Sequence, residues 1–278
     1  MFKYWKILII LFIPLLGRGQ MLTDEQQNIQ STDKKSDTGE FHITGSSAIL
    51  TSLHRFEDPN KVFGTDMKLY TSYTRNGYTA FLSLGGFKDF EDKREWFWSD
   101  SSLGISTSLG SLGDVSVSGT LTSIIPLSEQ SRDYRGMQTG FVVYPSFTLP
   151  LTEYGLKGVS VNYRPTASAY FHKYEVSLGG VSNTQYSLSH RLRLSYAISS
   201  KFSLSISTTY QRSWTYVGNT QDTFGFDASL GYAPNNWLSL ELGSTTSGTP
   251  LKANGTETEL TLFDTRETLL YLALGIRY

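Results

Sequence analysis

Apolar and polar residues alternate along most of the chain from residue 41 onward. Residues 202–214 show the pattern best: the even positions are mainly apolar or aromatic, whereas every odd position from 203 to 213 is Ser, Thr or Gln. A period of two is that of a β-strand with one apolar and one polar face. A helix would spread the same apolar residues around its whole circumference. The pattern therefore predicts a strand here.

Twelve segments with this alternation predict an all-β fold. Between the second and the third lies Asn76-Gly77, the dipeptide most typical of a tight hairpin, because its turn requires positive φ at both residues. The twelve segments are 41–51, 65–74, 78–86, 102–109, 115–125, 139–149, 158–172, 185–198, 201–214, 222–232, 236–245 and 268–278.

The connections between these segments alternate between short and long. An even number of strands with short turns at one end and long loops at the other is typical of barrels in outer membranes. We therefore predict a transmembrane up-and-down antiparallel β-barrel of about 12 strands, with periplasmic turns and extracellular loops. The short connections are 75–77, 110–114, 150–157, 199–200 and 233–235, and the long ones are 52–64, 87–101, 126–138, 173–184, 215–221 and 246–267.

Aromatic residues on the apolar face indicate which way that face points. They lie next to the short turns or next to the long loops, with Leu, Ile, Val and Ala between them. Two aromatic girdles around an aliphatic band match the two interfaces of a membrane, so we expect this face to point outward into lipid. One girdle comprises Tyr73, Tyr78, Tyr196, Phe202, Tyr232 and Tyr278, and the other comprises Phe141, Phe171, Tyr186, Tyr210, Trp214 and Phe224.

The N-terminal 40 residues have a different composition. Lys3 and Lys6 precede an apolar run over 7–16 and small residues at Gly17 and Gly19, which predicts a signal peptide over residues 1–19. The polar stretch 20–40 has too few apolar residues to fold alone and is expected to be a flexible periplasmic tail, either a spacer or a plug of the barrel. The barrel itself would then be residues 41–278.

The last strand carries a further signature. From Leu270 to Tyr278 apolar residues alternate, and the chain ends on an aromatic residue. In this respect the chain resembles Gram-negative outer-membrane β-barrel proteins over residues 41–278, although the usual last residue of that class is Phe. The resemblance implies an outer-membrane location, contact with outer-membrane lipids and recognition by the outer-membrane assembly machinery. It identifies a class of proteins and transfers no functional residue.

Charge and composition exclude several function classes. The chain has 24 Lys and Arg against 25 Asp and Glu, so the basic surface that nucleic-acid binding requires is absent. Without Cys there are no disulfides, thiol nucleophiles or thiolate metal sites. The closest approach to a His–Ser pair on one strand face is His42 with Thr44, which is a poor nucleophile. We therefore expect neither catalysis, nor a metal site, nor a cofactor.

The polar face of the strands decides the expected function. Its residues are mostly small, and small polar residues around a barrel of this size leave room for water. The sequence therefore favours a narrow passive channel for small polar solutes. The small inward positions are Gly104, Ser106, Ser108, Ser116, Ser118, Ser187, Ser189, Ser203, Ser205, Ser207, Gly225 and Ser229.

Five charged residues are also expected to point inward: Arg164, Arg191, Arg193, Asp227 and Glu241. The predicted register brings Arg164 close to Arg193 and sets Asp227 nearly opposite Glu241 on adjacent strands. A basic cluster that faces an acidic one across the bore would select charged or zwitterionic solutes. Alternatively, these groups pair with one another and brace the wall.

Two features leave other functions open. Pro145 and Pro165 interrupt predicted strands, either as simple bulges or as a lateral opening for a carrier of hydrophobic molecules. In the loop 87–101, Trp96, Phe97 and Trp98 either anchor the outer membrane interface or bind a partner, which would make this a surface-interaction barrel.

Overall fold

The computed structural model describes residues 39–55, 58, 60–91, 94–249 and 267–278. The predicted signal peptide, and all but the last two residues of the predicted tail, lie outside the described residues. Within the described ranges, no helix is long and apolar enough to cross a lipid bilayer.

Thirteen strands run through the described part of the chain. A five-residue π-helical turn, Gln130–Tyr134, precedes the seventh. The strands are β1 (Glu40–Ser52), β2 (Phe63–Arg75), β3 (Tyr78–Asp89), β4 (Trp96–Trp98), β5 (Ser101–Leu112), β6 (Val115–Ile125), β7 (Met137–Pro150), β8 (Val159–His172), β9 (Thr184–Ala197), β10 (Phe202–Thr215), β11 (Thr220–Asn235), β12 (Leu238–Gly248) and β13 (Leu269–Arg277).

Twelve of these strands form a closed antiparallel barrel. Each strand pairs with its neighbour in the chain, and β1 also pairs with β13, which removes the two sheet edges. At the seam, the backbone N–H of Ile43 donates to the carbonyl of Tyr278 at 2.9 Å, and the N–H of Tyr278 donates back at 2.8 Å. The predicted fold class and strand number are therefore confirmed.

The bounds of the predicted segments lie within three residues of those of the barrel strands, and those of β6 agree at both ends. Asn76 and Gly77 have φ of 53° and 80°, as a tight hairpin turn requires. The exception is β4, which was not predicted: residues 96–98 extend the wall by pairing with Gly86–Lys88 at the end of β3. The alternation of connection lengths is also incomplete, because 216–219 on the long-loop side is shorter than 151–158 on the short-turn side.

The apolar face of the strands points outward, as predicted. Leu242, for example, is 58% exposed, whereas Ser207 on the opposite face is 3% exposed. Leu242 lies between Leu230 and Leu272 on the adjacent strands, and all three leucines are exposed. A continuous exposed surface of this kind is stable only against lipid.

Candidate functional site

The polar face of the barrel lines its interior. Ser187, Ser205 and Ser229 are buried there, in agreement with the predicted small lining. On β10, all six inward residues from 203 to 213 are polar. These hydroxyl and amide groups form an uninterrupted stripe, which we call the β10 stripe.

The opposite wall is bulkier than the sequence led us to expect. On β2 and β3, the rings of Tyr70 and Phe81 stack at 5.6 Å between centroids, and both side chains are buried. Phe81 lies over Gly104, where an added Cβ would come within 2.4 Å of its ring. A glycine inside a strand is a signal of such close approach. From the sequence alone, Gly104 is predicted only as a small lining residue. Higher on this wall, Leu50, Phe87 and Tyr271 form an apolar cluster.

Aromatic and basic side chains narrow the middle of the bore. Tyr70 lies on the inner face of β2, and Tyr144 lies on the inner face of β7, four strand positions away around the barrel. The guanidinium of Arg164 lies over the Tyr144 ring, 4.8 Å from its centroid. We call Tyr70, Phe81, Tyr144 and Arg164 the constriction. Its aromatic members were not identified from the sequence.

The three predicted inward arginines lie together on β8 and β9. Arg164 is directly opposite Arg191, and Arg193 is opposite Asn162, so the register differs by two residues from the expected pairing of Arg164 with Arg193. Arg191 donates from Nη2 to the Ser207 hydroxyl at 3.3 Å. Three guanidinium groups in adjacent positions produce a positive potential on this wall.

The expected pairing of Asp227 with Glu241 is wrong. Asp227 is opposite Thr245, and Glu241 is opposite Gly231. The reason is that β11 continues to Asn235, so the hairpin turn falls later than the predicted 233–235 and the register moves by four residues. Glu241 instead accepts a hydrogen bond of 2.7 Å from the Tyr271 hydroxyl.

The basic and acidic groups also do not face each other across the bore. Arg193, Ser207 and Asp227 occupy one row across β9, β10 and β11, so the backbones that carry the two charges are only about 10 Å apart. None of the five predicted charged residues is without an interaction partner. The charges therefore lie along one wall, where they run beside the β10 stripe.

Two cavities lie at opposite ends of this wall. The mouth cavity, about 210 Å³ at the long-loop end, is lined by Arg135, His172, Gln211 and Ser213 among others. The exit cavity, about 460 Å³ at the short-turn end, is lined by residues that include Arg193, Ser203 and Glu241. The β10 stripe extends from one cavity to the other. Gln211 and Ser213 line the mouth cavity, Ser203 lines the exit cavity, and Ser205 and Ser207 between them are buried.

Hydrogen bonds hold the segment that covers the mouth cavity. The Asp100 carboxylate accepts from the Ser131 hydroxyl on the π-helical turn and from the backbone N–H of Ser128. Asn183 donates from its side-chain amide to the carbonyls of Arg135 and Tyr174, both at 2.9 Å. The 126–136 segment is therefore fixed over the barrel opening.

Pro145 and Pro165 lie opposite each other in the wall. The β7–β8 register is the same on both sides of them, with Val143 paired to Ala167 and Phe147 to Tyr163, but the three rows between are not paired. Neither proline has an N–H, so a residue pair that would normally exchange two hydrogen bonds exchanges none. Because no extra residue is inserted, the interpretation of these prolines as bulges is wrong.

The aromatic loop residues lie at the outer rim of the wall. Trp96 and Trp98 are 36% and 51% exposed, and Phe97 pairs with Phe87 of β3. Exposed tryptophans at this height are typical of a membrane-interface belt.

The four histidines lie in separate places. His54 Nδ1 is 3.1 Å from Asp58 Oδ2 in the first loop, and His42 Nε2 is 3.7 Å from Glu40 Oε2. His190 bonds the Tyr163 hydroxyl at 2.7 Å, and His172 lines the mouth cavity. Among the described residues, no group of three His, Cys, Asp or Glu is placed to hold a metal ion.

Comparisons with known proteins agree on the fold. The chain is similar to the COG4313 outer membrane channel from Pseudomonas putida F1, with a TM-score of 0.57 and 12% identity, over 85% of this chain and 95% of that one. It is also similar to the NanC porin, with a TM-score of 0.51 and 10% identity, over 84% of this chain and 98% of that one. The chain has the fold of outer-membrane channels. No family model and no curated protein sequence matches it.

Together with the lipid-facing outer surface, this fold places the protein in the outer membrane of a Gram-negative bacterium.

Proposed function

We propose that the protein is a narrow passive channel for small polar solutes. The observation that carries the proposal is the β10 stripe, an unbroken row of polar side chains that extends from the mouth cavity to the exit cavity. Hydroxyl and amide groups along such a surface replace the hydrogen bonds that a solute loses when it leaves water. The constriction supports a narrow path, since the stacked rings of Tyr70 and Phe81 fill space on one wall and Arg164 over the Tyr144 ring fills space on another.

Conductance of the purified protein in planar lipid bilayers tests this function. We expect discrete, small current steps in KCl solution, because the constriction limits the flow through the bore. Replacing Ser207, in the middle of the β10 stripe, by Trp is expected to reduce the current, since the added ring fills the bore. A bilayer that remains silent over a wide voltage range would reject the channel.

The opposed prolines favour a second function, a carrier that releases hydrophobic molecules sideways into the membrane. A closed barrel wall is normally held by every ladder hydrogen bond, and this wall lacks the two bonds that residues 145 and 165 of β7 and β8 would otherwise exchange. Outside the gap, the Tyr163 ring stacks between Phe147 and His190, at centroid distances of 6.2 and 6.1 Å. The gap is thus a weak point of the wall, bordered by aromatic rings.

The double variant Pro145→Ala and Pro165→Ala tests lateral release. It restores two N–H donors, and we expect the closed ladder to slow uptake of the apolar dye N-phenyl-1-naphthylamine by cells that express the protein, while KCl conductance stays the same. Pro150→Ala is the matched control, because Pro150 lies at the end of β7, outside the gap. Equal dye uptake by the wild type and the double variant would reject lateral release.

A further inference from the structure

Hydrogen-bond donors line the mouth cavity. Arg135 contributes guanidinium N–H groups, and Gln211 contributes an amide that donates one hydrogen bond to the Ser213 hydroxyl at 3.0 Å. The carboxylate in the lining, Asp100, already accepts two hydrogen bonds from the 126–136 segment. A solute that enters this cavity therefore meets donors, and it is stabilised best if it brings acceptor oxygens of its own.

Arg135 and His172 form the charged part of the cavity. The Arg135 guanidinium is close enough to the His172 imidazole for an electrostatic interaction. Nδ1 of His172 is buried and has no hydrogen-bond partner among the described residues. A buried polar atom without a partner is unfavourable in the empty protein and is satisfied when a ligand supplies the missing group.

Part of the lining of the same cavity is apolar. Ile124 and Met137 line it on β6 and β7, opposite the polar groups of β10. Its volume, about 210 Å³, is below the ~300–1,000 Å³ of pockets that hold drug-sized molecules. The shape and chemistry fit a small molecule with one acceptor end and one apolar end.

The position of Arg135 is fixed by the backbone around it. Its carbonyl accepts from Asn183, its N–H donates to the carbonyl of Gln130 at 3.1 Å, and the next residue, Gly136, has a φ of 65°. The carbonyl of Gly136 then accepts from the N–H of Lys173 at 2.7 Å. The backbone of Arg135 is therefore held in a preorganised segment, which lowers the cost of binding.

We propose that the mouth cavity is a binding site for small organic carboxylates, with Arg135 as the charge partner of the carboxylate and Ile124 and Met137 as the apolar contact. The proposal deepens the channel function by naming the class of its solute, and it rests on that function for its biological meaning. Farther down the wall, Arg193 lines the exit cavity together with Glu241.

Calorimetric titration of the full chain in detergent, with sodium benzoate as the probe, tests the site. Benzamide is the neutral comparison, because it has nearly the same shape and no charge. We expect benzoate to bind about tenfold or more tightly than benzamide, and Arg135→Gln to remove most of that difference. The matched control is Arg132→Gln, since Arg132 lies on the same turn, is exposed and pairs with Asp133 at 2.7 Å.

The outcomes separate this site from the channel. Equal affinities of the wild type for benzoate and benzamide would overturn the carboxylate site, whatever the conductance. The proposal would also be overturned if Arg132→Gln abolished benzoate binding as fully as Arg135→Gln does. The effect of the positive charge would then not depend on its position in the cavity. Benzoate binding by a protein that carries no current in bilayers supports the site and rejects only the channel.

Discussion

Replacing Arg191 and Arg193 by Ser is expected to change the ion preference of the bore from anions to cations. The double variant removes two positive charges from a wall that keeps Asp227 and Glu241. At an effective dielectric constant of about 20, one unit charge changes the energy of an ion 4 Å away by roughly 4 kcal/mol. The ratio of chloride to potassium permeability should therefore fall by about tenfold or more, since tenfold requires only about 1.4 kcal/mol.

The reversal potential under a KCl gradient measures this change. Arg212→Ser is the matched control, because Arg212 lies on the outer face of the barrel, in the same row as Leu188. Its guanidinium is paired with Asp222 at 2.7 Å. That variant should keep the reversal potential of the wild type. If the Arg191 and Arg193 double variant keeps it as well, these arginines only brace the wall and do not select ions.

Replacing Leu242 by Arg is expected to destabilise the folded barrel in lipid by about 2–4 kcal/mol, because it places a charge on the lipid-facing surface near the middle of the strand. Leu230 and Leu272 on either side offer no polar partner. Urea unfolding from lipid vesicles measures the loss. Ser239→Arg is the control on the same strand, since Ser239 lines the exit cavity. An equal loss in both variants would contradict the assignment of the two faces.

The alternation of residues was enough to predict the barrel strands because lipid on one side and the lumen on the other impose a strict period of two. At β6, neither end extends beyond the alternating run, and prediction and structure agree. At the end of β11, alternation stops near Tyr232 while the ladder continues to Asn235. The register of Asp227 and Glu241 depends on where that turn falls, which the period does not encode.

The constriction could not be predicted for a different reason. Whether Phe81 fills the bore depends on Gly104 of the neighbouring strand, and a single strand's pattern carries no information about that pairing. The same holds for Pro145 and Pro165: each proline is visible in the sequence, but the gap arises because the two share one row. Contacts between strands, rather than patterns along them, decide these parts of the site.

The most direct test of a water-filled lumen uses the absence of cysteine from the chain, which gives a clean background for single cysteines. Leu188 and Ser189 are consecutive on β9; Leu188 is exposed on the outer face, and Ser189 lies on the inner face in the row of Gln211. In lipid vesicles, we expect Ser189→Cys to react with a charged, water-soluble methanethiosulfonate and Leu188→Cys to remain unmodified. Modification at position 188 with none at position 189 would contradict the account.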